Sequence, residues 1–265
     1  MSTSTTSTEL LTDHQQRVAD AFLAEQAAAR HHLVVYLSGA HAYGFPSPDS
    51  DLDLKCIHIA PTSALVGLFV DDCGGETMRV VDGVELDYSS HELGMALAGV
   101  IKGNGNFLER ILGALVLDAD RARLDELRPL TRAALSRRAQ RHYLGFATSQ
   151  LRAAEQSPTA KRVLYVLRTA ATGLHLLRTG ELVIDVRELL DELGLGAARE
   201  LIAIKQAGEK TPLDGETLAR WRGEMTRVMD ALAAADTESV LPSEPPAPAV
   251  AALDAWLRDV RRAMW

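Results

Sequence analysis

Several things are scarce in this chain of 265 residues. It has two cysteines, Cys56 and Cys73. Two thiols at that spacing build neither a disulfide framework nor a familiar metal-binding pattern. They read as the reduced cysteines of a cytoplasmic protein. No apolar run approaches the roughly 18 residues of a membrane span, so no membrane partner is expected. Met1 to Thr8 is rich in Ser and Thr and lacks a basic-then-apolar leader pattern, so it is expected to be a disordered lead-in. Positive charge is not in excess: 28 Lys and Arg stand against 36 Asp and Glu, a net charge of −8. The broad basic footprint of a nonspecific duplex binder is therefore missing. A local basic patch remains open, because Arg and Lys cluster in the second half. No internal repeat is visible, and the second half lacks a convincing strand.

What is present is the composition of an ordinary globular protein, 47% hydrophobic and 24% charged, enough for one large domain or two modest ones. Residues 11–31 have helical spacing, with Leu11, Val18 and Phe22 on one side. Leu33 to Leu37 is a short apolar, β-branched run that stops at Gly39, and is expected to be a buried strand. Residues 51–60 read as a second strand. Leu52, Leu54, Cys56 and His58 would point one way, and Asp51, Asp53, Lys55, Ile57 and Ile59 the other. A short helix is expected over 62–70. Thr77–Val81 and Val84–Tyr88 flank Asp82-Gly83, a dipeptide suited to a two-residue hairpin turn. A helix is expected from about Ser90, as N-cap, to Lys102, broken by Gly103 and Gly105. From Leu108 onward the pattern is mostly helical, with segments at 129–156, 161–179, 186–193, 218–234 and 250–264. The Pro-rich stretch 238–248 reads as an extended linker. A boundary between halves falls within 115–130.

The chemistry concentrates between Gly39 and Asp53. A strand runs into Gly39 and Ala40, where a phosphate could approach backbone N–H groups closely. A helix opening there would add a favourable partial charge. Asp51 and Asp53, two apart on a strand, share a face. Two such carboxylates raise each other's pKa unless a cation sits between them. Mg²⁺ favours carboxylate oxygens together with substrate phosphates. The pairing suits in-line attack on a nucleotide α-phosphate assisted by two ions.

These residues resemble the DNA polymerase β-like nucleotidyltransferase superfamily, in which a glycine and a Ser or Gly are followed, after a spacer, by Asp-x-Asp or Asp-x-Glu. Gly39-Ala40-His41-Ala42-Tyr43-Gly44 with Ser50-Asp51-Leu52-Asp53 is similar to predicted nucleotidyltransferases associated with RNA repair. Lys102-Gly103-Asn104-Gly105-Asn106-Phe107-Leu108-Glu109 resembles that group's Lys-Gly-Asn-x-Asn-x-x-Glu stretch. Lys161 to Gly180, with Tyr165 and Arg168, resembles its helical segment. The resemblance covers roughly residues 33–195. It implies an α/β (α+β) nucleotidyltransferase domain with a small mixed sheet over 1–120, followed by an all-α helical domain over 121–265. It also implies transfer of a nucleoside monophosphate from an NTP to an acceptor hydroxyl on RNA, with Mg²⁺ or Mn²⁺, two ions, as cofactor.

The superfamily adds an acid from a neighbouring strand. Glu85 and Asp87 both qualify by alternation, and the resemblance favours Asp87. The expected catalytic and metal-holding set is thus Asp51, Asp53 and Asp87. The expected nucleotide-binding set is Ser38, Gly39, Ala40, Tyr43, Ser50, Lys102, Asn106, Glu109 and Arg168. Ala40 departs from the signature: a serine there would donate to a triphosphate oxygen, a bond worth roughly 1.5–3 kcal/mol when charge-assisted. That departure keeps open a nucleotide or RNA binder without catalysis; an antitoxin-like partner of another protein is a third alternative. His142, His175 and His58 read as packing or surface histidines. Base preference, acceptor identity and oligomeric state are not legible.

Overall fold

The computed structural model describes residues 10–208 and 212–265. The expected lead-in, residues 1–8, lies outside them. Helix α1, Asp13–Ala27, is opened by a capping box in which Thr12 and Gln15 satisfy each other's amides. Strand β1, His31–Leu37, is buried at every position but the first. A single turn, α2, Gly39–Tyr43, leads to β2, Leu52–Ile59. The hairpin is β3, Gly75–Val81, and β4, Val84–Glu92, turning at Asp82 and Gly83 with φ of 49° and 82°. Helices α3, Leu93–Ile101, and α4, Gly105–Leu112, follow, then β5, Val116–Ala119.

The five strands form one mixed sheet in the order β3-β4-β2-β1-β5. Only β2 and β4 are parallel; the other neighbours are antiparallel. The helical remainder comprises α5 (Arg121–Ala133), α6 (Ala139–Gln156), α7 (Ala160–Thr179), α8 (Val186–Leu189), α9 (Arg199–Ala207), α10 (Gly215–Ala234) and α11 (Ala247–Ala263). No helix among the described residues is long and apolar enough to cross a membrane.

Alternation in the strands decides what each sheet face meets. Val35, Leu37, Leu52, Leu54, Cys56, Leu86 and Tyr88 pack with Val18, Phe22 and Leu23 of α1 in one cluster. Leu33, Tyr36, Ile57 and Ile59 face the other way, into a core shared with α3 to α11. The second face of β2 is therefore apolar at Ile57 and Ile59, where helices cover it. It is polar at Asp53 and Lys55, where the chain leaves a cavity.

Four local expectations differ from the fold. Ser90 does not cap α3: it continues β4, paired with Cys56, and its hydroxyl meets His58 Nδ1 at 2.7 Å. Strand pairing outweighs the capping preference, and Glu92 caps the helix instead through the Gly94 amide. Residues 62–70 make only a 3₁₀ turn over Thr62–Leu65. Residues 116–119, within the stretch expected to be mostly helical, are the edge strand β5, held by β1. The Pro-rich segment is a tethered strap: Val240 donates to the Leu177 carbonyl and Arg137 to that of Pro242.

Candidate active site

Leu37 pairs with Leu54, so residues 38–51 must leave β1 and return beside it. Gly39 makes the first bend at φ +64°. A Cβ there would lie 1.8 Å from Oδ2 of Asp53. Glycine thus supplies both the backbone conformation and the room for the carboxylate to reach the main chain. Gly44, at φ 89°, ends α2. The following loop is pinned from the helical half. Lys205 Nζ, fully buried, donates to the hydroxyls of Ser47 and Ser50 at 2.6 Å each.

Parallel pairing sets Asp53 directly opposite Asp87. The two-residue period brings Asp53 and Lys55 to the same face of β2, and Glu85 and Asp87 to the corresponding face of β4; Asp51 immediately precedes β2. Lys55 Nζ stands 2.8 Å from Asp87 Oδ2 and 3.5 Å from Asp53 Oδ1. Burial pushes the Asp53 carboxyl up, the Asp51 charge adds to this and Lys55 opposes it; the outcome is about 6. Among the described residues no three His, Cys, Asp or Glu side chains converge closely enough to hold a metal ion. The expected carboxylate trio is thus not drawn together in this conformation, with Lys55 between two of its members.

Ser38, Gly39, Tyr43, Asp53, Asn106 and Glu109 line one cavity of about 170 Å³, together with Lys55, Arg110 and Tyr165. Asp51 faces a neighbouring cleft of about 840 Å³ with Glu85, Thr159, Lys161 and Arg162. Tyr165 lines both cavities, so the two adjoin at its ring. Burial, then Tyr43 and Asp53, raise its hydroxyl's pKa and keep it protonated.

Ala40, Ser50, Asp87, Lys102 and Arg168 are not among the residues lining either cavity. Ala40 is 3% exposed and packs in the core. Ser50 is occupied by Lys205. Lys102 is the C-cap of α3. Arg168 is buried 2.5 Å from Glu109 Oε2, and its guanidinium lies 3.6 Å from the centroid of the Tyr43 ring. Burial works against the Arg168 charge, but Glu109 and the surrounding tyrosines outweigh it and raise its pKa. Tyr143 donates to the other Glu109 oxygen at 3.2 Å. His41, on α2, is buried, and desolvation followed by Lys205 lowers it to about 4, so it is neutral near pH 7.

Sequence reading did not assign Lys55, Arg110 or Lys205 to the site. Lys55 had a signal, since it continues the Asp51, Asp53 alternation. Lys205 had none, because its partners lie 155 and 158 residues away.

A small mixed sheet, a glycine turn and Asp-x-Asp at the start of a strand, beside an acid on the next strand, match the pattern of the polymerase β-like nucleotidyltransferases. The chain belongs to the RNA repair pathway DNA polymerase beta family, whose sequence model matches residues 15–259. It is 28% identical over 159 residues to an uncharacterized protein of Methanocaldococcus jannaschii. That match covers 58% of this chain and 63% of the relative's length. A crystal structure of a nucleotidyltransferase-like protein from Exiguobacterium sibiricum 255-15 aligns over 94% of this chain and 80% of that one, at a TM-score of 0.34 and 13% identity.

Proposed function

We propose that this protein transfers a nucleoside monophosphate from an NTP to an acceptor hydroxyl on RNA, with Asp51, Asp53 and Asp87 as its acidic centre. The observation that carries this reading is the register of Asp53 against Asp87 beside Gly39, where the small cavity adjoins the larger cleft. The RNA acceptor rests on the family's connection with RNA repair.

The acidic centre suits a divalent ion chemically. Its donors are hard carboxylate oxygens. The raised Asp53 carboxyl marks a place where a cation relieves charge. A cation, the Lys55 ammonium, already stands there. Asp51, Asp53 and Asp87 would hold Mg²⁺ or Mn²⁺, which would polarise the phosphoryl oxygens and neutralise charge on the departing pyrophosphate.

The protein's own residues supply the rest. Lys161 and Arg162, at the start of α7, give the larger cleft positive charge for the nucleotide phosphates. Ser38, Tyr43 and Asn106 shape the smaller cavity. The acceptor oxygen attacks the α-phosphorus as the bond to the β-phosphate oxygen breaks. Its proton passes to the Asp87 carboxylate. Pyrophosphate leaves.

A second reading, nucleotide or RNA binding without transfer, is favoured by Ala40, whose methyl group is in the core and offers no donor. An α-labelled NTP assay with Mg²⁺ or Mn²⁺ across four bases and an RNA pool separates the two. Label transfer with pyrophosphate release is expected, and the Asp51→Asn/Asp53→Asn double variant should lose it while keeping its fold. Undiminished transfer by that variant would refute the mechanism. Binding without label transfer in the unaltered protein would support the second reading.

A further inference from the structure

Lys55 lies inside the candidate centre, yet none of the steps above uses it. It follows Asp53 by two residues on β2, so the pleat fixes it on the same face. The parallel ladder sets Asp87 beside both. The ammonium is 2.8 Å from Asp87 Oδ2, 3.5 Å from Asp53 Oδ1 and 3.4 Å from the Asp87 main-chain carbonyl oxygen. Its side chain and that of Asp53 are each 18% exposed and that of Asp87 36%, so water screens the Asp53 contact less than the Asp87 contact.

Position and charge together limit what can bind. A divalent ion on these two carboxylates would compete for the charge that the ammonium now neutralises, and would meet its positive charge at close range. In the resting protein, metal binding therefore carries the cost of expelling Lys55. Expulsion is easier when the ammonium has another anion to join. The flexible four-carbon stem of lysine lets it swing while its backbone stays in the strand. A nucleoside triphosphate entering the adjoining cavities would bring such an anion.

We propose that Lys55 is an internal counter-ion that keeps Asp53 and Asp87 closed to divalent metal until a nucleoside triphosphate draws its ammonium onto the phosphates. Metal and nucleotide then bind as a coupled event, and each strengthens the other by the same factor. The proposal rests on the reading of Asp53 and Asp87 as the metal-holding pair.

The test is direct Mn²⁺ binding to the full chain, followed by the paramagnetic signal of the free ion. Wild-type protein is measured with and without an α,β-methylene NTP analogue, correcting for Mn²⁺ held by the analogue in solution. Without analogue, Lys55→Gln should bind Mn²⁺ at least about tenfold more tightly than wild type, and Lys55→Arg should stay close to wild type. The analogue should tighten wild-type Mn²⁺ binding at least about tenfold, and Lys55→Gln much less. The wild-type comparison decides even if Lys55→Gln fails to fold: no tightening by the analogue overturns the proposal. So does equal or weaker Mn²⁺ binding by a folded Lys55→Gln variant. Adding Asp53→Asn distinguishes the two levels. If it abolishes Mn²⁺ binding while Lys55 has no effect, only the counter-ion role falls. If Mn²⁺ binding survives it undiminished, the metal-holding assignment falls as well.

Discussion

At Gly39 and Asp53 the backbone and the chemistry meet within one contact. Asp53 Oδ2 occupies space that any Cβ at position 39 would need, and the φ of +64° adds a penalty for an L side chain. Gly39→Ala should therefore lose about 1–2 kcal/mol to the left-handed conformation alone. It should also displace the Asp53 carboxylate, and a misplacement of about 1 Å costs roughly 100-fold in rate. Denaturant unfolding and the label-transfer assay would read these effects separately. A variant with wild-type stability and rate would show that the close approach is dispensable.

The Asp53 carboxyl also makes a prediction in the metal-free protein. Its folded-state value of about 6 lies above the ordinary aspartate value of 3.8. The sign follows: folding favours the protonated form. No penalty exists below about pH 4, where folded and unfolded states are both protonated. It grows as pH rises and is complete above about pH 6. Each pH unit of displacement is worth about 1.4 kcal/mol, so the full penalty is about 3 kcal/mol. In EDTA, Asp53→Asn should be more stable than wild type near pH 8, with the advantage disappearing near pH 4. Urea titrations at the two pH values would check it. An asparagine variant less stable near pH 8 would sink the idea.

Among the elements, α7 links the helical half to the candidate centre. Tyr165 and Arg168 are three apart on it, so they share one side of the helix. Tyr165 reaches both cavities, whereas Arg168 turns inward to Glu109 of α4. That ion pair is almost without solvent, with side-chain exposures of 3% and 5%. Removing one partner of such a pair strands a buried charge, at about 3–5 kcal/mol. Arg168→Met should cost that much. Arg168→Met with Glu109→Gln should recover part of it, because no full charge then remains buried. A double-mutant cycle by denaturant unfolding measures the difference. Equal losses in the single and double variants would mean that Glu109 is satisfied without Arg168.

The same scale explains what could be read from sequence. β1 was legible because five consecutive apolar residues allow little else beside a glycine. The polar face of β2 at Asp53 and Lys55 was legible because side chains alternate strictly in a strand, whereas Asp51, expected on that strand, lies just before it and faces the neighbouring cleft. Alternation left Glu85 and Asp87 equal and the family likeness chose Asp87, the one that the parallel ladder sets opposite Asp53. β5 was not legible: it has four residues, and its pairing with β1 is a long-range event. Ser90 was misread because its local capping preference competes with a strand partner far away in sequence. The inward turn of Arg168 was hidden likewise, since a helical arginine beside a motif gives no sign of which partner it will meet.

On the scale of the whole molecule, the sheet separates two cores while its strands serve both. Cys56 belongs to the cluster under α1, and its neighbour Ile57 to the cluster under the helices. Trp221 and Leu253, from α10 and α11, join that second cluster with Leu33 and Tyr36 of β1. Lys205 adds a buried polar tie between the helical half and the loop before Asp51. Losing the helical half would uncover α3 and α4 and the part of β1 that α5 covers, so the two halves should unfold together. The sequence supplies separate reporters. All three tryptophans, Trp221, Trp256 and Trp265, lie in the helical half. Cys56 is a buried thiol in the sheet, while Cys73 is only partly covered. With Cys73→Ser in place, tryptophan fluorescence and Cys56 thiol labelling should follow the same guanidinium midpoint and slope, as a two-state transition requires. If the fluorescence transition instead came first and left Cys56 protected, the sheet and α1 would be a separately stable unit. The positions of the acidic residues would then not depend on the helical half.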